Sequence, residues 1–143
     1  MNICLIGFNL TNFLLAISLC KKGFEVDIIF DEKNKSKSNN RTIGISKKNI
    51  EFLKSILNIP NQFLWPIFQI EILNLKNNPS KKIKFKDDKD ENFFLIKQSD
   101  LFQLSEKKCK QLKNIYFSKC TPNEILKLEK TNNYNFIINS QSN

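Results

Sequence analysis

The chain contains no histidine, and this absence excludes several kinds of active site at once. The usual zinc sites and the Ser-His or Cys-His nucleophilic centres need an imidazole as ligand or base. The four cysteines, Cys4, Cys20, Cys109 and Cys120, form no C-x-x-C pair. We therefore expect buried thiols, no metal site and no catalytic side chain, so that any chemistry comes from a bound cofactor.

Long apolar runs are also lacking. The sequence has no stretch of about 18 apolar residues, so we predict no transmembrane helix. Near the N-terminus the lysines follow the apolar stretch, and Asn9 and Asn12 interrupt it, which argues against a signal peptide. We expect a cytoplasmic protein, and the net charge of +9 leaves peripheral association with anionic lipid open.

Arginine is scarce, because Arg41 is the only one among 23 basic residues. The lysines are scattered among abundant Asn, Ile and Phe, a composition that A+T-rich coding DNA produces. Nucleic-acid binding favours arginine and a basic stripe with interleaved aromatics, so we predict no nucleic-acid partner. A single arginine in such a composition indicates that a planar, bidentate group is needed there, and Arg41 is a candidate anion ligand.

The sequence does contain a strand, turn, helix and strand between Ile3 and Asp31. The apolar run Cys4 to Ile6 ends at Gly7 and is typical of a parallel strand buried on both faces. Helical spacing extends from Thr11 to Lys22, and Val26 to Phe30 forms the second strand. A helix that begins directly after a buried strand turns free N–H groups and its positive dipole end toward the crevice, which is the geometry that binds phosphate.

The turn between strand and helix is short of glycine. In the dinucleotide fingerprint GxGxxG, the first glycine makes the turn, the second admits the pyrophosphate and the third lets helix pack on strand. Only Gly7 is present here, and Asn9 and Asn12 occupy the other two positions, with Leu10 between them. Asn9 is the mildest substitute because Asn tolerates left-handed backbone, whereas Asn12 adds bulk. This turn is consistent with a βαβ unit that binds a nucleotide and equally with one that binds none.

One domain accounts for the whole chain, because 143 residues with 41% hydrophobic content are enough for one core. A polar loop from Glu32 to Asn40 precedes a helix that Ser46 caps and Pro60 ends. Further segments are then predicted: a meander of strands Ile67 to Leu75, Lys81 to Lys86 and Asn92 to Lys97, a helix capped by Ser99 or Asp100, and strands Ile115 to Phe117, Glu124 to Leu128 and Tyr134 to Ile138. The strands beginning at Ile3, Val26 and Tyr134 are expected in one parallel sheet.

The order of these segments resembles the N-terminal part of the FAD-dependent aromatic-ring hydroxylases, above all the ubiquinone-biosynthesis branch. The likeness is carried by the βαβ start, RTIGIS ahead of a helix, the meander, LIKQSDL at the start of another helix, and YNFIINSQSN. It implies an α/β, Rossmann-like FAD-binding domain with a parallel sheet and an inserted β-meander. In that family the arginine matched by Arg41 reaches the FAD, and the residue matched by Gln98 lies beside the ribityl and phosphate region.

Departures from the family pattern are also present. The acidic residue that holds the adenosine ribose falls at Phe30, with Asp31 one place late. The Gly-Ala-Asp-Gly segment reads Asn139, Ser140, Gln141, Ser142, and a later Gly-Asp motif would lie beyond Asn143. We therefore expect the N-terminal fragment of a longer chain, inactive alone.

The resemblance also implies a reaction. NAD(P)H would reduce FAD, and O2 would hydroxylate an aromatic substrate such as a prenylated phenol, with the enzyme in a biosynthetic complex or at a membrane surface. Two alternatives remain. One is a scaffold or binding protein that kept the fold while its nucleotide motif decayed, and the other is an NAD(P)-binding domain of a different oxidoreductase.

Overall fold

The computed structural model describes residues 1–34, 41–73, 82–86, 93–128 and 133–140. They follow the order β1 (Asn2–Ile6), α1 (Leu10–Cys20), β2 (Glu25–Phe30), β3 (Thr42–Ser46), α2 (Lys47–Ile56), β4 (Trp65–Ile67), β5 (Gln69–Leu73), β6 (Lys82–Lys86), β7 (Phe93–Lys97), α3 (Gln98–Gln111), β8 (Ile115–Lys119), α4 (Pro122–Leu128) and β9 (Phe136–Asn139). Two compact units result, one from Met1–Asn39 with Ser99–Asn143 and one from Asn40–Gln98. The expectation of a single domain stays a prediction.

The first unit contains a parallel sheet of four strands in the order β8-β2-β1-β9. In its centre Ile3 pairs with Val26 on one side and with Phe136 on the other. Four of the five residues of β1 are buried, as the unbroken apolar run predicts for a central parallel strand. The prediction that the strands at Ile3, Val26 and Tyr134 share one parallel sheet is confirmed.

Helices cover both faces of this sheet. On one face α1 packs against β1, β2 and β8, and the rings of Phe8 and Phe13 lie 4.9 Å apart within a cluster that also contains Phe30, Phe102 and Phe117. On the other face Ile125 of α4 packs with Cys4, Ile6 and Ile29. Successive residues of a strand point to opposite faces, so the apolar run of β1 supplies both cores.

The two ends of α1 follow from local chemistry. Asn9 caps its N-terminus, and beyond Cys20 the chain turns through Gly23, whose φ of 86° is the left-handed conformation predicted for this position. The N–H of Gly23 donates to the carbonyl of Cys20 at 3.0 Å. The predicted helix, Thr11 to Lys22, is therefore confirmed with small shifts of its ends.

One predicted strand is wrong. The segment Glu124 to Leu128 belongs to the helix α4. The hydroxyl and N–H of Thr121 both donate to the Glu124 carboxylate, and the N–H of Glu124 donates back to the hydroxyl. This capping box, with Pro122 at the first helical position, fixes the start of a helix.

The second unit holds an antiparallel sheet in the order β3-β7-β4 and a hairpin of β5 with β6. The first pairing of the predicted meander is confirmed, because β5 pairs with β6. Its second pairing is wrong, because β7 lies between β3 and β4 instead of beside β6. The strand β3 was not predicted at all. Helix α2 packs on β3 and β7, and Ser46 caps it as expected by accepting from the N–H of Asn49 at 3.4 Å.

Some predicted boundaries cannot be compared. Leu75, Lys81, Asn92 and most of the loop from Glu32 to Asn40 lie outside the described residues. Helix α3 begins at Gln98, so the predicted caps Ser99 and Asp100 are inside its first turn. None of the helices in the described ranges has the length and apolar character needed to cross a bilayer.

Candidate functional site

The turn between β1 and α1 begins with a backbone that only glycine adopts easily. Gly7 has a φ of 122°, and its N–H donates to the carbonyl of Ile29 at 2.8 Å, which continues the pairing of β1 with β2. A Cβ atom at this position would lie 2.9 Å from Nδ2 of Asn9 and 3.3 Å from both Nδ2 of Asn12 and Oγ of Ser140. Gly7 is thus required by conformation and by space.

Asn9 adopts an extended conformation, with φ −145° and ψ 167°, and is the N-cap of α1. The idea that it replaces a glycine by tolerating left-handed backbone is wrong. Its Oδ1 accepts from the N–H of Asn12 at 3.0 Å, and its Nδ2 donates to Oγ of Ser140 at 2.8 Å and to the Ser140 carbonyl at 3.3 Å. Asn9 therefore ties the start of α1 to the end of β9.

Asn12 fills the space between helix and strand where the fingerprint has its third glycine. It is fully buried, and its Nδ2 donates to the carbonyls of Gly7 at 2.8 Å and Ile6 at 3.0 Å. Its Oδ1 is buried without a hydrogen-bond partner among the described residues. The bulk predicted for Asn12 is accommodated because the side chain bonds to the end of β1.

The first turn of α1 still offers donors to an anion. The N–H of Asn12 is taken by the cap, but in the described part of the chain no acceptor lies on the N–H groups of Leu10 and Thr11. No acidic residue stands in this first turn. Because the helix dipole adds a positive potential, the turn suits a phosphate, with fewer donors than a turn of three glycines provides.

Asp31 follows β2 directly, at the same end of the sheet as Gly7. It is 8% exposed, and its Oδ1 accepts from the N–H of Lys33 at 3.1 Å. Phe30, the residue at the family's acidic position, is buried in the aromatic cluster with its ring 4.6 Å from that of Phe8. Of these two residues, Asp31 is the one whose side chain can accept hydrogen bonds from a sugar hydroxyl.

Arg41 and Gln98, which the sequence selected separately, lie next to each other in the second unit. Nε of Arg41 donates to Oε1 of Gln98 at 2.5 Å, and the N–H of Gln98 donates to the carbonyl of Arg41 at 2.9 Å. The backbone bond extends the pairing of β3 with β7, in which Thr42 lies opposite Lys97. Within the described residues, Nε makes the side-chain hydrogen bond of Arg41, and both Nη groups remain for an anion.

The two buried cysteines, Cys4 and Cys109, are not nucleophiles. Burial raises the pKa of the Cys4 thiol to about 12, with smaller contributions from Asp27 and Cys120. Burial likewise raises the pKa of Cys109 to about 12, and its Sγ donates to the carbonyl of Phe13. Both thiols are protonated at neutral pH, which excludes thiolate chemistry at these positions.

Ser140 is the residue that sequence reasoning missed. It was noted only as part of a segment that departs from a glycine-rich motif, yet its N–H donates to the carbonyl of Ile6 at 3.1 Å and its Oγ accepts from Asn9. The signal that could have found it is topological. The carboxyl ends of adjacent parallel strands meet at one edge of a sheet, and both β1 and β9 were predicted there.

No protein-family model and no curated protein sequence matches this chain. Solved structures do resemble it. PqsL, a probable FAD-dependent monooxygenase from Pseudomonas aeruginosa, matches with a TM-score of 0.62 and 10% identity over 83% of this chain and 32% of its own. The p-nitrophenol 4-monooxygenase PnpA from Pseudomonas putida matches with a TM-score of 0.61 and 16% identity over 82% of this chain and 31% of its own.

A third solved structure, 2-methyl-3-hydroxypyridine-5-carboxylic acid oxygenase, matches with a TM-score of 0.61 and 15% identity over 82% of this chain and 31% of its own. The chain therefore spans about a third of the length of these proteins. At such identities the likeness concerns the fold alone. The predicted α/β fold class is confirmed: this chain has part of the fold of the FAD-dependent aromatic monooxygenases.

Proposed function

We propose that this chain is the FAD-binding part of a flavoprotein monooxygenase that hydroxylates an aromatic ring. The observation that carries the proposal is the junction at Gly7, where a buried parallel strand leads through a left-handed glycine into the N-terminus of α1. Phosphates bind at such junctions because first-turn N–H groups and the helix dipole both favour an anion. The fold of the FAD-dependent monooxygenases supports the choice of FAD.

The residues present fit this cofactor. The N–H groups of Leu10 and Thr11 would bind pyrophosphate oxygens. Asp31 would accept a hydrogen bond from the adenosine ribose. FAD, when bound and reduced by NAD(P)H, supplies the oxygen chemistry of hydroxylation.

Arg41 and Gln98 have a proposed role in binding the same cofactor. Gln98 holds Nε of Arg41, which fixes the plane of the guanidinium and leaves the two Nη groups to donate as a pair to one phosphate. An arginine positioned in this way loses less side-chain entropy on binding than a free one.

The proposal also names a class of substrate. One structure of PqsL holds 2-aminobenzoylacetate, which is a small aromatic molecule. For this chain we propose a small aromatic substrate, with a prenylated phenol of ubiquinone biosynthesis and a membrane-peripheral location as the specific form. That form rests on the sequence resemblance alone.

Flavin binding tests the proposal directly. The purified chain is expected to be colourless, to oxidise no NADPH and to bind added FAD weakly, because two glycines of the fingerprint are missing. Each lost backbone bond to a phosphate is worth about 1 to 3 kcal/mol, so two losses weaken binding roughly 30-fold or more. The assay is fluorescence titration with FAD, and riboflavin, which lacks phosphate, is the matched control.

The comparison of the two ligands decides the outcome. FAD should bind more tightly than riboflavin, because the chain contributes phosphate contacts. Equal affinities would reject the phosphate site at Gly7. Absence of binding by a folded chain would reject the flavin-binding function and favour a scaffold that retains the fold.

A further inference from the structure

We propose that Asn9 and Ser140 form an internal clasp that occupies the phosphate position of the turn, so that a dinucleotide binds only after displacing it. The inference rests on the proposed function, and it concerns how access to that site is controlled. It starts from the finding that the side chain of Asn9 lies across the turn instead of away from it.

The clasp occupies one of the first-turn N–H groups at which a phosphate would bind, the one that follows those of Leu10 and Thr11. Oδ1 of Asn9 accepts from the N–H of Asn12 at 3.0 Å, which is the contact that a phosphate oxygen makes at a helix N-terminus. The amide at the other end of the same side chain donates to Oγ of Ser140 at 2.8 Å. One side chain thus closes the gap between α1 and β9.

The space beside Gly7 is occupied as well. The position of an added Cβ there lies within 3.3 Å of side-chain atoms of Asn9, Asn12 and Ser140. In the fingerprint, the second glycine is needed because backbone and pyrophosphate approach closely. Here Asn9 stands at that second position, and its side chain bonds to Asn12 and Ser140.

A second observation points to a ligand. Oδ1 of Asn12 is buried and has no donor among the described residues, although the amide is anchored in the turn through Nδ2. A buried acceptor of this kind is usually satisfied by water or a hydroxyl group. A water that bonds to both Asn12 and a phosphate oxygen would satisfy it in the loaded state.

The clasp is weak enough to open. Asn9 and Ser140 are only partly buried, and the bonds between them are neutral, whereas a phosphate would receive charge-assisted bonds from the same helix terminus. Oδ1 of Asn9 and a phosphate oxygen therefore compete as acceptors for the N–H of Asn12. The intact clasp lowers the apparent affinity for a dinucleotide and leaves ligands without phosphate unaffected.

The test compares three variants with the natural chain in equilibrium titrations with FAD and riboflavin. Asn9→Gly removes the clasp and keeps a tolerated N-cap residue. We expect it to raise the affinity for FAD about tenfold, the effect of one recovered bond to a charged group, with riboflavin unchanged. Ser140→Ala removes one clasp partner and should give a smaller rise.

Asn9→Asp is the matched control, because it keeps the cap but places a carboxylate in the proposed phosphate position. It should lower the affinity for FAD at least as strongly as Asn9→Gly raises it. Thermal melts without ligand verify that each variant is folded. Equal affinities of the natural chain and Asn9→Gly for FAD would overturn the clasp and leave the flavin function standing. If no folded variant binds FAD, the proposed function fails and the clasp fails with it.

Discussion

The buried side chain of Asn12 provides the sharpest test of this structure. Its Nδ2 donates to two carbonyl oxygens, those of Gly7 at 2.8 Å and Ile6 at 3.0 Å, in a fully buried position. Asn12→Asp keeps the shape of the side chain but replaces the donor with an oxygen that repels both carbonyls. The variant should be much less stable than the natural chain at neutral pH.

The magnitude follows from the contacts. The carbonyl of Ile6 keeps the N–H of Ser140 as a donor, so Asn12→Ala should cost about 1 to 3 kcal/mol, mainly for the stranded Gly7 carbonyl. Burying an uncompensated carboxylate should cost about 3 to 5 kcal/mol. For a chain of this length each kcal/mol lowers the Tm by about 3 °C, so Asn12→Asp should melt about 10 °C or more below the natural chain.

The pH dependence has a definite sign. A buried carboxyl has a raised pKa in the folded state, so the penalty is complete above that raised value and disappears below the unfolded pKa of about 3.9. The difference in Tm between the variant and the natural chain should therefore shrink as the pH falls from 7 toward 4. Thermal melts followed by circular dichroism measure it.

The chain contains a matched control for this substitution. Asn49 stands three residues after the N-cap of α2, as Asn12 does in α1, but it is exposed. Asn49→Asp should leave the Tm unchanged or raise it slightly, because an acidic residue in the first turn favours the dipole. Equal melting of the two Asp variants would refute the assignment of Nδ2 as the group that faces the carbonyls.

Three further predictions concern other parts of the chain. The hydrogen bonds from Thr121 lower the pKa of Glu124, so its ionised form stabilises α4 above pH 4.5 and that contribution is lost as the pH falls through the lowered pKa; Glu124→Gln should melt below the natural chain at pH 7 and converge with it in acid. Cys4 and Cys109 should react with a thiol reagent at pH 7 only in denaturant, and fast labelling of either in the native protein would contradict their burial. Arg41→Lys, which keeps the charge but loses the planar pair of donors, should weaken FAD binding about tenfold, and an unchanged affinity would remove Arg41 from the site.

Local patterns were enough to predict the βαβ core. The run Cys4 to Ile6 and the helical spacing after Thr11 depend on neighbours in sequence, and the structure reproduces both. The strand assigned to Glu124 to Leu128 failed because its apolar residues suggested a strand, while the stronger signal, Thr121 and Pro122 followed by Glu124, marks a helix start. The hydrogen bonds between Thr121 and Glu124 therefore indicate the structure of this segment better than its apolar residues do.

The second unit was harder to predict because its pairing is not local. Thr42 pairs with Lys97, and nothing in either segment alone specifies that partner. The strand β4 contains Pro66, which normally argues against a strand, but β4 lies at the edge of its sheet, where a missing N–H is tolerated.

The candidate site could be predicted in part. The special turn expected at Gly7 is confirmed by its φ of 122°, whereas cofactor binding by Arg41 and Gln98 stays a prediction. The role of Asn9 was not predicted, because Asn both tolerates left-handed backbone and caps helices, and sequence alone does not separate these preferences. Its partner Ser140 is 131 residues away.

The discontinuous first unit has a consequence for how the chain is synthesised. Synthesis runs from the N-terminus, so β1 is made long before β9, with which it pairs, and before Asn135, which bonds to Asn2 from 133 residues later. Until then one side of β1, the most apolar strand of the sheet, has unpaired backbone groups and is an aggregation-prone edge. Contacts of such long separation also slow folding. We therefore expect this edge of β1 to stay open until residues 136–139 have been made, and a chaperone bound during that interval would protect it.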